Sequence, residues 1–132
     1  MKKPFVLFVC RHNTGRSQMA EAYLRLFAGA AIEVASAGTE AADAPNPGVV
    51  AAMAQDGIDI ASARPKLIDA ATAQRADRII TMGCDVQGVP RVDADWGLPD
   101  PKGQDPLRVA EIRDMVKAKA KQLALDLLAG TS

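Results

Sequence analysis

Two cysteines, one histidine and 4% aromatic residues make this 132-residue chain poor in the groups that staple, ligate or stack. Two cysteines cannot frame a small secreted scaffold, and neither has the paired spacing of a zinc site. A reducing compartment is implied, where a disulfide between Cys10 and Cys84 would be transient and catalytic rather than structural. Long hydrophobic runs are missing as well. Behind a Met-Lys-Lys start comes only Phe5-Val6-Leu7-Phe8-Val9, too short for a signal-peptide core and far below the roughly 20 residues of a membrane span. Charge of one sign is not in excess either: Lys plus Arg and Asp plus Glu are 16 each, so no basic field recruits nucleic acid or an anionic membrane. These absences predict a cytoplasmic protein that meets a small soluble partner. No internal repeat, low-complexity tract or linker interrupts the chain, so residues 1–132 are expected to form one domain, long enough to bury a core without disulfides or a structural metal.

Strand-like segments at Phe5–Val9, Ile32–Ser36 and Asp77–Met82 alternate with helix-like ones, which predicts an α/β fold built on an open parallel sheet covered by helices. From Ser17 to Phe27 the residues Met19, Ala20, Tyr23, Leu26 and Phe27 fall on one helical face, and Gly29 is a plausible stop. This stripe reads as core. A second helix, Gly48 to Gln55, is announced by Pro45-Asn46-Pro47, with Asn46 or Pro47 at its start and Gly57 past its end. The stretch from Asp105 to Leu128 carries Val109, Ile112, Met115 or Val116, Ala120, Leu123 and Leu127 among lysines and arginines, the pattern of one long amphipathic helix.

The most informative stretch follows the first strand: Cys10-Arg11-His12-Asn13-Thr14-Gly15-Arg16-Ser17, a cysteine and an arginine separated by five residues. A buried strand that ends in a polar, glycine-containing loop and then opens a helix aims several backbone N–H groups at one point, where they and the helix N-terminus hold an oxyanion. Cys10 stands at that point, and the same positive surroundings favour its thiolate, a nucleophile. Arg16 adds a planar fork of donors for two oxygens of a tetrahedral anion, and the Ser17 hydroxyl can donate to the sulfur. Arsenate and phosphate both fit. The remaining loop residues, Arg11, His12, Asn13, Thr14 and Gly15, complete the expected oxyanion cradle. Asn13 suits its bend, because asparagine tolerates left-handed backbone. His12 reads as a loop residue rather than a base, since an ionised thiolate needs none.

Further along, Asp100 precedes Pro101 among Gly97, Pro99 and Gly103. Such a rigid, exposed loop leaves open whether Asp100 stabilises a turn or faces the anion as an acid. Cys84 follows Ile79-Ile80-Thr81-Met82-Gly83 and so lies just past a strand end, on the sheet edge where ligands bind and where Cys10 also lies. By residue type alone it could equally be an inert strand-end thiol.

Taken in order, Val9-Cys10 through Arg16-Ser17-Gln18-Met19-Ala20-Glu21, Ser36-Ala37-Gly38-Thr39, Gly57-Ile58-Asp59-Ile60, Ala76-Asp77-Arg78-Ile79-Ile80-Thr81-Met82-Gly83-Cys84 and Trp96-Gly97-Leu98-Pro99-Asp100-Pro101 resemble the low-molecular-weight protein tyrosine phosphatase superfamily, and within it the arsenate reductases. The resemblance implies an open, mainly parallel four-stranded sheet flanked by helices, with Cys10 as nucleophile, Arg16 as oxyanion ligand and Asp100 as general acid. It also implies that Cys84 attacks Cys10 in a second step, or that an external thiol does so. No bound cofactor or metal is implied. The expected reductant is thioredoxin, a glutaredoxin-like protein or a low-molecular-weight thiol. Many thioredoxin-coupled relatives carry a third cysteine a few residues beyond the second, but Asp85-Val86-Gln87-Gly88-Val89-Pro90 has none, so a three-cysteine relay is excluded.

Asn13, Glu21 and Ser36 match positions that ligate potassium in dependent relatives, whereas Arg64-Pro65-Lys66 stands near the remaining acidic ligand, so the Lys66 ammonium is expected to replace the ion and pair with Glu21. Phosphatases of the superfamily wall their pocket with aromatic residues after the Asp-Pro pair. Here Lys102 and Gly103 follow, which favours a small oxyanion over a phosphotyrosine. Phosphomonoester hydrolysis remains the alternative activity, and a non-enzymatic oxyanion sensor is disfavoured because binding alone needs neither a thiolate nor a proton donor.

Overall fold

The computed structural model describes residues 3–40, 42–83, 86 and 89–129. Its centre is β1, Phe5–Cys10, six consecutive buried residues. A strand apolar on both faces belongs in the middle of a sheet covered twice, and β1 does lie between two neighbours. The sheet order is β2-β1-β3-β4, with β2 at Glu33–Gly38, β3 at Arg78–Thr81 and β4 at Ala94–Asp95, and every pair is parallel.

Alternation along β1 divides the core. Val6, Phe8 and Cys10 face α1 (Arg16–Ala28), α2 (Pro47–Gln55) and α4 (Pro106–Ala129), while Phe5, Leu7 and Val9 pack with Ala73 of α3 (Ala70–Arg75) and with Ala76 on the other side. Cys10 therefore ends the strand on the α1 face. The register sets Cys10 beside Gly38 and Val9 beside Thr81, so the sheet edge expected to bind ligands gathers the ends of three strands.

Local signals explain the helices. Asn46 caps α2 by accepting from Gly48 N at 2.8 Å, with Pro47 at the first helical position. In α4, Val109, Ile112, Val116, Ala120 and Leu127 are buried as the periodicity predicts, and Val116 rather than Met115 takes the core position. The α1 stripe needs one correction: Leu26 is 60% exposed, and Leu24 is fully buried in its place. The helix packs along the arc of Ala20, Tyr23 and Leu24, which leaves Leu26 beyond its edge. No helix among the described residues is long and apolar enough to cross a membrane.

Two elements escape the sequence pattern. The short α3 buries only Ala73, too little for an apolar period. The exposed pair Ala94–Asp95 joins the sheet beside Asp93, which exchanges hydrogen bonds with Ile79: its amide donates to Ile79 O at 2.9 Å, and its carboxylate accepts from Ile79 N at 2.8 Å.

Candidate active site

Between the end of β1 and the start of α1, residues 11–15 form a loop in which the carbonyls of Arg11, His12 and Thr14, with that of Cys10, are turned outward by a neighbouring stretch of chain. Amides of Thr39, Glu40, Ala42 and Asn46 donate to the carbonyls of Cys10, Arg11, His12 and Thr14 at 3.2, 2.7, 3.3 and 2.9 Å. A trans peptide sets its N–H opposite its C=O, so the amides that follow those carbonyls turn inward. Asn13 N accordingly reaches Cys10 Sγ at 3.2 Å. The loop passes so close to β2 that a Cβ on Gly38 would lie 2.6 Å from Arg11 O and 3.0 Å from Asn13 N. Asn13 takes the left-handed bend, φ 56°, and is completely buried. Helix α1 begins behind Gly15 with no side-chain cap, leaving the positive end of its dipole to the loop.

The sulfur sits among donors. Ser17 Oγ is 2.8 Å from Cys10 Sγ and accepts from Asn13 Nδ2, also at 2.8 Å. When Cys10 is ionised the sulfur carries no hydrogen, and the Ser17 hydroxyl is then the donor of this pair. Asn13 Oδ1 in turn accepts from the backbone N of Lys66 at 2.9 Å, which fixes the amide with its NH2 group toward Ser17. These contacts bring Asn13 N and Ser17 Oγ together on the Cys10 sulfur.

Arg16 is 8% exposed, and its Nη1 donates to Met82 O at 2.9 Å and to Leu98 O at 2.6 Å. Those two bonds consume both Nη1 hydrogens, so the fork left for an oxyanion is the Nε and Nη2 edge. On the opposite lip, Asp100 Oδ2 is 4.0 Å from Arg16 Nη2, and Asp100 Oδ1 accepts from Lys102 N at 3.0 Å. Both roles left open for Asp100 are compatible here: one oxygen closes a turn and the other faces the arginine. Cys10, Arg11, His12, Thr14, Gly15 and Arg16 line a cleft of about 420 Å³ that Asp100 and Lys102 close from the other side. His12 is held at the rim, its Nδ1 2.9 Å from Glu40 O, and Arg11 pairs with the Glu40 carboxylate at 3.6 Å. An adjoining hollow walled by Ala42, Ala44, Pro45 and Pro47 shares His12, Thr14, Asn46 and Lys102 with the cleft.

Behind the loop, Glu21 accepts from Ser36 Oγ and pairs with Arg25 Nη1 at 2.7 Å and with Lys66 Nζ at 3.7 Å. The expected Lys66–Glu21 pair is present. Cys84 lies outside the described residues. The chain leading to it is tied to the cleft, since Met82 O accepts from Arg16 and Gly83 N donates to Asp95 Oδ1 at 2.7 Å.

Gln18 was missed by sequence reasoning. It is 4% exposed, and its Nε2 donates to Asn13 O at 3.1 Å and Asn13 Oδ1 at 3.2 Å. A polar residue one step beyond Ser17 in the first helical turn is unremarkable as a sequence, and only the loop's fold brings Asn13 over it.

A family model described as low molecular weight phosphotyrosine protein phosphatase matches residues 5–89. An arsenate reductase of Brevibacillus brevis is 36% identical over 128 residues, which cover 92% of this chain and 95% of that protein. Among solved structures, a thioredoxin-dependent arsenate reductase of Corynebacterium glutamicum superposes with a TM-score of 0.83 at 33% identity; the match covers 98% of this chain and 64% of that one, so this chain spans just under two thirds of it. An arsenate reductase in the phosphate binding state gives a TM-score of 0.80 at 32% identity, covering 94% and 98%.

Proposed function

The chain belongs to the low molecular weight phosphotyrosine protein phosphatase family, and from that premise we propose that it reduces arsenate to arsenite through the thiolate of Cys10. The observation that carries this reading is the convergence on one cleft of the Cys10 sulfur, held by Ser17 Oγ and Asn13 N, with Arg16 and Asp100. The Brevibacillus brevis relative, 36% identical over 92% of this chain, is named an arsenate reductase.

In the first step the inward amides and the free edge of Arg16 hold the oxyanion, and Cys10 Sγ attacks arsenic. An S–As bond forms and an As–O bond breaks, with Asp100 donating the proton that lets the oxygen depart as water. The reacting thiolate needs no separate base, so His12 stays a rim residue. In the second step another thiolate attacks the Cys10 sulfur. The new S–S bond forms as the S–As pair withdraws to arsenic, so arsenic(V) leaves as arsenite while two thiols become a disulfide.

Cys84 or an external thiol supplies that second sulfur. With two cysteines in the chain, a Cys10–Cys84 bridge would be reopened by a thioredoxin-like dithiol, and a mixed disulfide with a low-molecular-weight thiol by a glutaredoxin-like protein or a second thiol.

Phosphomonoester hydrolysis is a second reading, favoured by the hollow of Ala42, Ala44, Pro45 and Pro47 beside the cleft, which could receive an organic leaving group. The separating experiment is single-turnover arsenite release from fully reduced protein without added thiol, with mass spectrometry of the product, on wild type and Cys84→Ser. Release with loss of two hydrogens' mass in the wild type alone assigns Cys84 as the resolving thiol. Release from either protein only on adding a small thiol assigns the external route. No release under any thiol rejects arsenate reduction and leaves the phosphatase reading.

A further inference from the structure

For the loop to present amides to an anion, each carbonyl from Cys10 to Gly15 must point away from it. The carbonyls of Cys10, Arg11, His12 and Thr14 are held outward by backbone amides of residues 39–46, and that of Gly15 by Met19 N at 2.9 Å within the first turn of α1. Asn13 is the exception. Its carbonyl is held by a side chain, Gln18 Nε2, and the same amide group also reaches Asn13 Oδ1.

We propose that Gln18 is a positioning residue of the anion loop: it holds the Asn13–Thr14 peptide with its carbonyl outward, so that the Thr14 N–H faces the cleft. Without this donor the Asn13 carbonyl has no hydrogen-bond partner among the described residues, and the peptide can rotate to aim its oxygen into the cleft. That rotation exchanges an anion donor for a partial negative charge facing the anion. The second Gln18 bond acts on the sulfur side. It joins Lys66 N in holding Asn13 Oδ1, which keeps Asn13 Nδ2 on Ser17 and the Ser17 hydroxyl on Cys10. One amide group thus sets both the anion cradle and the orientation of the thiolate's donors, a task that hydrophobic filling of the same volume cannot perform.

The inference rests on the loop's binding an oxyanion, and the experiment separates the two. Inorganic phosphate is the probe, and its protection of Cys10 from iodoacetamide is followed on the Cys10 peptide by mass spectrometry. Gln18→Met keeps the volume and loses both donors. Its circular dichroism is expected to match wild type while phosphate binds about tenfold more weakly and unprotected alkylation slows, the scale of one lost hydrogen bond. Gln18→Glu, which sets a carboxylate against the Asn13 carbonyl, binds more weakly still. A folded Gln18→Met that binds phosphate as tightly as wild type overturns the proposal. A second measurement uses unaltered protein labelled with nitrogen-15. The Thr14 amide proton moves downfield as phosphate is added, and a Thr14 amide that stays still while its loop neighbours move also overturns the proposal. Lack of phosphate protection in the wild type would remove the oxyanion reading itself.

Discussion

Ser17 Oγ accepts from Asn13 Nδ2 and lies 2.8 Å from Cys10 Sγ, and toward an ionised Cys10, which has no hydrogen of its own, the Ser17 hydroxyl is the donor. Ser17→Ala should therefore slow alkylation of Cys10 at neutral pH by about tenfold or more, the worth of one hydrogen bond to a charged group, with little loss of fold. Asp100 is expected to behave differently. It faces Arg16 from the far lip, and in its proposed role as general acid it would give up a proton only when an oxygen departs, so Asp100→Asn should lower turnover by roughly 10²–10⁴-fold and leave phosphate binding nearly intact. A parallel loss of phosphate affinity would mean that the carboxylate shapes the cleft instead. Glu21 has its charge met by Arg25 and Lys66. Potassium chloride should thus stimulate activity no more than the sodium salt does, and a large potassium-specific gain would show that Lys66 does not stand in for the ion.

At the scale of elements, the end of β2 shapes the loop between β1 and α1. Amides of Thr39, Glu40, Ala42 and Asn46 hold the carbonyls of Cys10, Arg11, His12 and Thr14, and Gly38 lets β2 pass beneath the loop with no side chain between them. An added methyl would meet backbone atoms, which cannot rotate aside. Gly38→Ala should cost about 1–3 kcal/mol by crowding, seen as a lower urea midpoint, and should weaken phosphate binding as well. A variant with wild-type phosphate affinity would show that the loop adjusts without loss. The same contact explains what sequence reading misses at this scale. Cys10, Arg16 and Ser17 are legible because strand, loop and helix are contiguous; the role of Gly38 depends on a strand that joins from elsewhere in the chain.

For the molecule as a whole, three helices on one face are tied at Asp56, whose carboxylate receives the Tyr23 hydroxyl of α1 at 2.6 Å and Lys117 Nζ of α4 at 2.9 Å just past the end of α2. The hydrogen bonds from Tyr23 and Lys117 hold the Asp56 carboxyl below its usual range, while burial and the adjacent carboxylate push the Tyr23 phenol above its own. For a depressed carboxyl the unfolded chain takes up the proton first. The stabilisation is then complete above about pH 5 and is lost as pH falls past the ordinary aspartate value of about 3.9 toward the folded one. Asp56→Asn should accordingly lower the urea midpoint at neutral pH, with the difference from wild type closing in acid. A difference that persists unchanged at low pH would exclude this linkage. The raised phenol has the opposite sense, contributing stability that is present below about pH 10 and lost above it.

The sequence by itself determined the α/β class, the central apolar strand, the three longer helices and the Cys10-to-Ser17 loop between strand and helix, because each is written in contiguous residues whose period or turn chemistry acts locally. The tertiary structure decided which donors face which atoms. Gln18 under Asn13, Lys66 N on the Asn13 amide, Met82 and Leu98 carbonyls on Arg16, and the two-residue strand fixed beside Asp93 all join residues far apart in the chain or turned together by a single left-handed bend. Such contacts leave no periodic mark in the sequence, since a buried hydrogen bond depends on where two groups meet and not on the spacing between them.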